Sequence, residues 1–128
     1  MNPADHLAAF EVHKETIFVW AVGTYGADRA QRVIGLHASR GIVEFLSAFL
    51  HRAKLVDDGF QLNHRWFKSA TVERRLPEFP GRDAIVERLV RLELLSEALA
   101  YGSPGQSRKL AEALELFQEL EKRIKELP

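Results

Sequence analysis

The chain of 128 residues has no cysteine, a single methionine and no net charge. Without thiols, a disulfide framework, a thiolate nucleophile and thiolate metal ligands are excluded. Lys plus Arg and Asp plus Glu both total 18, so neither nucleic acid nor an anionic membrane is favoured by global charge. Only a local basic patch can favour one. Asparagine and glutamine are scarce, whereas Glu and Arg are plentiful, a composition that fits a heat-adapted source. The first 25 residues contain Asp5, Glu11, Lys14 and Glu15 and lack the basic-then-apolar order of a secretory leader. The longest uncharged apolar candidate, TIFVWAVGTYGA, falls short of membrane-spanning length, so a cytoplasmic location without a membrane partner is expected. GxxxxGK[ST], GxGxxG, GxSxG, HExxH and acidic ligand loops are all missing. Nucleotide-loop, hydrolase-elbow and metal-site readings therefore have no support, and neither a cofactor nor a metal is expected.

What remains is a helical pattern, with hydrophobic content of 46% and charged content of 28%. Pro3 and Asp5 suit a helix start, and Leu7, Phe10, Lys14, Ile17 and Ala21 share one face before Gly23 and Gly26. A second helix, the longest, is predicted over residues 27–55, followed by the breaking stretch VDDGFQLN. HRWFKSATVERRL reads as a short helix or pair of turns closed by PEFPG. A further helix follows with Ile85, Leu89, Leu92, Leu95 or Ser96, and Leu99 at helical spacing, ended by GSPG. The last is amphipathic through Leu110, Leu114, Phe117, Leu120 or Glu121, and Ile124. No repeat, linker or comparable strand signal interrupts this order. The expected fold is all-α, an antiparallel four-helix bundle with an additional short helix, forming a single domain over residues 1–128.

The second helix carries the main candidate site. His37, Arg40, Glu44, Ser47 and His51 recur at steps of three and four, forming one polar stripe on an otherwise apolar helix. Histidine moves protons near neutral pH, and arginine holds phosphate through parallel hydrogen bonds, so the stripe suits a phosphodiester site. The plainer reading is an internally satisfied strip or a set of bonds across a dimer. Arg40 and Glu44, one turn apart, are expected to pair. His37 and His51 lie about 21 Å apart along a helix and cannot share one metal ion. His64, Arg65, Trp66 and Lys68 open a basic, aromatic segment in which Arg65, Lys68, Arg74 and Arg75 outweigh Glu73. Such interleaving can stack bases and neutralise phosphates, or plug the bundle end with solvated charges around it.

The long second helix, the basic turn after it and RLELLSEALAYG together resemble the HEPN family (higher eukaryotes and prokaryotes nucleotide-binding) over roughly residues 27–127. The resemblance implies a dimeric helical bundle that works beside a minimal nucleotidyltransferase, as in toxin–antitoxin pairs, with a nucleotide or RNA ligand. HEPN ribonucleases carry an Arg followed four to six residues later by His. Here Arg88 and Arg91 have no such His; six residues after Arg91 stands Glu97, and Tyr101 and Gly102 look like an aromatic-Gly ending seen in some members. No His follows residue 64 to move a proton at a 2′-hydroxyl. The expectation is a divergent, non-catalytic homodimeric module. Two alternatives stand beside it: a metal-independent ribonuclease using seam histidines, His51 foremost, with Arg91, and a bundle with only an assembly role.

Overall fold

The computed structural model describes residues 2–128, and among these there is no strand. Helix α1 spans Pro3–Glu15 and begins in a reciprocal cap. The Asn2 side chain accepts from the Asp5 amide at 2.9 Å, and Asp5 accepts from the Asn2 amide at 3.3 Å. The helix continues over Thr16–Tyr25 with a wider, π-type winding and stops at Gly26, whose φ of 108° favours glycine. Helix α2 is Gln31–Arg52, shorter at both ends than residues 27–55. Residues 27–30 form a turn instead, and the chain leaves α2 through Lys54 at φ 58°. Two 3₁₀ segments, His64–Lys68 and Ala70–Arg75, precede α3 (Arg82–Tyr101) and α4 (Ser107–Lys125).

The helices form an antiparallel up-down bundle. His6 meets Glu44 while His13 meets His37, so α1 runs against α2. Ser39 meets Glu93 while Arg32 reaches Ala100, so α2 runs against α3. Arg88 meets Glu119 while Arg91 meets Glu112, so α3 runs against α4. Helix α2 packs on α1, α3 and α4 and is the central element, as its apolar sides predict. One contiguous core joins Phe10, Ile34, Leu46, Leu89, Leu92 and Phe117. By length and mean hydropathy (1.4) α2 is long and apolar enough to cross a bilayer even with Arg40 and Glu44 in it, but 67% of its most apolar stretch is buried inside the bundle, as befits a core helix.

On the expected face of the first helix Phe10, Ile17 and Ala21 are buried and Lys14 is partly so, but Leu7 is exposed and the neighbouring His6 is buried in its place. The His6 ring stacks on His51 at 5.3 Å and bonds Glu44, so a polar ring with a partner takes the inward position. One glycine sets how closely α2 and α3 approach. A Cβ on Gly35 would lie 2.5 Å from the Ala100 amide nitrogen and 2.7 Å from the Ser96 carbonyl oxygen. Helices α2 and α3 touch backbone to backbone there, and that contact brings the walls of a cleft together.

Candidate functional site

Between α2, the first 3₁₀ segment and α3 lies a cleft of about 270 Å³. Gly35 and Leu36 from α2 and Ser96 and Ala100 from α3 line it together with its charged groups. Arg40 enters from α2, His64, Arg65 and Lys68 from the 3₁₀ segment, and Glu93, Glu97 and Tyr101 from α3. The loop before residue 64 is fixed because the Asn63 side chain accepts from the Arg65 amide at 2.8 Å, capping the segment.

At the inner end, the buried Glu93 carboxylate accepts from the Ser39 hydroxyl at 2.6 Å and contacts His64 Nδ1 at 3.0 Å. Arg40 Nε donates to His64 Nε2 at 3.2 Å, and its Nη1 donates to the Leu36 carbonyl at 2.7 Å. A guanidinium can only donate, so Nε2 is the acceptor and the ring proton sits on Nδ1, directed at Glu93. Four side chains thus form one chain of hydrogen bonds, Arg40 to His64 to Glu93 with Ser39 joining. Among the described residues, no buried side-chain nitrogen or oxygen lacks a partner. At the outer end, Lys68 and Glu97 face each other at 3.8 Å, both about half exposed, and Tyr101 stands open to solvent. An ion pair so exposed and so long holds the two groups weakly.

Of the residues singled out in the sequence, Arg40, His64, Arg65, Glu97 and Tyr101 meet in this cleft. The rest of the stripe is dispersed. Arg40 does not pair with Glu44; Glu44 Oε2 instead lies 2.7 Å from His6 Nδ1 on α1. The buried histidine of α1 captures the carboxylate and Arg40 bonds His64 instead, although Arg40, Glu44 and His64 still line one depression beside the cleft. His37 Nδ1 lies 2.8 Å from His13 Nδ1, so one ring donates and the other accepts. Both imidazoles are held below their ordinary pKa. For His13 the causes are burial and then His37; for His37 they are burial and then Arg40. Ser47 turns back on its own helix and donates to the Val43 carbonyl at 2.8 Å. His51 stacks on His6 and bonds the Phe60 carbonyl at 3.1 Å, outside the cleft.

Trp66 packs edge-on against Phe60 and under the Arg75 guanidinium, lining a neighbouring depression with Arg65 and Lys68. Arg91 faces α4, where it grips Glu112 through two bonds of 2.7 Å; that pairing lowers the Glu112 pKa and raises that of Arg91. It shares no surface with His51. Among the described residues, no cluster of three or more His, Asp or Glu is arranged to hold a metal ion.

The polar stripe of α2 does not reveal Ser39, Glu93 and Ser96 as part of the site. Their signal lies in α3, where the polar Glu93 and Ser96, three apart, interrupt an apolar face. They mirror Gly35 and Ser39 on α2. Comparison of the chain with protein-family models, curated proteins and solved structures gives no match.

Proposed function

We propose that the chain is a divergent HEPN-like module that binds a phosphate-bearing ligand, a nucleotide or RNA, in the cleft between α2 and α3. It acts as a homodimer beside a nucleotidyltransferase partner. The observation that carries the binding reading is the convergence of Arg40, Arg65 and Lys68 on one half-enclosed space. Among the described residues, the Arg65 guanidinium has no carboxylate partner. Arginine forks suit phosphate oxygens, and the partly enclosed setting strengthens the attraction over that at an open surface. The small Gly35, Ser39, Ser96 and Ala100 keep the floor narrow, and the volume suits one nucleotide better than a long duplex.

Titration with a labelled mononucleotide and with a short single-stranded RNA tests this reading. Binding should weaken as salt rises and fall at least tenfold in Arg65→Ala, the loss of about one charge-assisted contact. Binding that ignores both salt and Arg65 would remove the cleft from consideration.

A second reading, metal-independent RNA cleavage, is favoured by one observation: the Glu93–His64 pair leaves the Nε2 lone pair as an acceptor. A carboxylate-oriented imidazole can take a proton from a 2′-hydroxyl once Arg40 shifts onto a phosphate. In this reading His64 and Arg40 carry the roles first assigned to His51 and Arg91. Cleavage would persist in EDTA and disappear in His64→Ala; no cleavage by the wild-type protein would leave binding alone.

A further inference from the structure

The cleft has two unlike ends, and their chemistry specifies more than a phosphate. We infer that its ligand carries a guanine base, read by the Glu97 carboxylate while Arg40 and Arg65 hold the phosphate; this rests on the binding reading above.

Glu97 and Tyr101 are one turn apart on α3 and project from the same face into the outer end of the cleft. Tyr101 is 67% exposed, and nothing in the core requires an aromatic ring there. A planar base stacked on that ring is desolvated on one side at little entropic cost, because tyrosine has few rotamers to lose. Its hydrogen-bonding edge then lies beside the Glu97 carboxylate, one turn deeper. A carboxylate only accepts, and two parallel oxygens match two parallel donors. Guanine alone among the common bases presents adjacent donors on its Watson–Crick edge, N1–H and the N2 amine. Adenine and cytosine place a ring acceptor beside their single amine, and uracil flanks its one N–H with two carbonyls. Each would set a lone pair against the carboxylate.

The spacing agrees. From Glu93, level with Arg40 and His64, to Tyr101 is eight residues of helix, about 12 Å, the reach of one nucleoside monophosphate. Glu93 does not compete for the base, since it is buried, Ser39 and His64 both hold its Oε1, and His64 also reaches Oε2 at 3.3 Å. Glu97 is differently placed, because its partner Lys68 at 3.8 Å is easily exchanged. A bound guanylate exchanges that pair for two charge-assisted bonds and leaves Lys68 to neutralise the ligand's own charge.

The test is calorimetric titration of the full chain with GMP, IMP, AMP and inorganic phosphate. GMP should bind about tenfold or more tighter than AMP, the worth of a bidentate bond to a charged acceptor after competition with water. IMP, lacking the N2 amine, should fall between them. In Glu97→Gln the GMP-to-AMP ratio should collapse toward one, since an amide presents one acceptor and one donor. Glu97 is half exposed, so this change leaves folding intact, which a circular dichroism spectrum verifies. Equal binding of GMP and AMP, or a preference that survives Glu97→Gln, overturns the guanine assignment while the phosphate cleft stands. Failure of every nucleotide and of phosphate to bind overturns both.

Discussion

At the scale of single residues, the chain shows how a polar group among apolar neighbours is tolerated. Glu93 is almost wholly buried, with a hydroxyl and an imidazole on its oxygens. Glu93→Ala should cost about 3 kcal/mol in urea unfolding, because Ser39 and His64 lose their shared partner and a void remains. Glu93→Gln keeps the shape and should cost about 1 kcal/mol. Equal, small losses in both would mean that the hydrogen-bond chain contributes nothing to stability. The His13–His37 pair gives a prediction in pH. Both rings titrate below 6.5 in the folded protein but near 6.5 when unfolded. Below 6.5 the unfolded state binds more protons, so this contribution is complete above pH 6.5 and is lost as pH falls through 6.5 toward the lowered values. Arg40 opposes protonation of both rings, and Glu44 favours it at His13 without overcoming burial. Unfolding midpoints from pH 8 to 5 should therefore decline more in the wild type than in His13→Gln. Parallel curves would exclude the pair as a source of the decline.

At the scale of elements, Gly35 is the position on which the cleft depends. A methyl group there meets backbone of α3 at 2.5 and 2.7 Å, and backbone cannot rotate away. Gly35→Ala should cost about 2 kcal/mol, overpacking outweighing the roughly 1 kcal/mol that alanine gains in helix propensity. It should also weaken nucleotide binding by parting the walls. At Gly41 a Cβ meets the His13 Cβ at 2.9 Å and the Phe117 ring at 3.1 Å, on α1 and α4, so Gly41→Ala should also lower stability but spare the cleft, which lies on the α3 side. If binding responds alike to the two substitutions, the backbone contact at Gly35 has no special role. The helices themselves were legible because their apolar residues recur at 3.6-residue spacing, as Ile85, Leu89, Leu92 and Leu99 show. The pairing of the stripe was not. Spacing along α2 puts Arg40 beside Glu44, but which partner each takes depends on His6 and His64, from elements remote in sequence. On the first helix the inward face was legible through the π-wound segment, as the buried Phe10, Ile17 and Ala21 show; only Leu7 lost its place, to His6, whose partners Glu44 and His51 lie on α2.

At the scale of the whole molecule, the surface is uneven. Of the nine large hydrophobic side chains exposed among the described residues, six lie between Leu7 and Tyr25. Val12 and Val19 are more than 60% exposed, and Trp20, stacked on Tyr25 at 4.9 Å, is 43% exposed. Single exposed apolar residues are ordinary, but a run of them on one helix and its continuation marks a surface suited to association. Self-association through a two-fold axis would set this surface against its own copy and remove the valines and the Trp20–Tyr25 stack from water together. Light scattering at micromolar concentration should give a mass near twice the 14.6 kDa of one chain. The unfolding temperature should rise with protein concentration, as mass action requires when folding and association are linked. Val12→Glu combined with Val19→Glu places like charges across the shared surface and should give a monomer. Neither side chain contributes to the core, so the helical spectrum should survive. A wild-type mass of one chain across that range would disprove the dimer, and a dimer that persists in the double mutant would move its interface away from α1. Either result leaves the cleft intact, because Arg40, His64 and Glu93 are joined within a single chain.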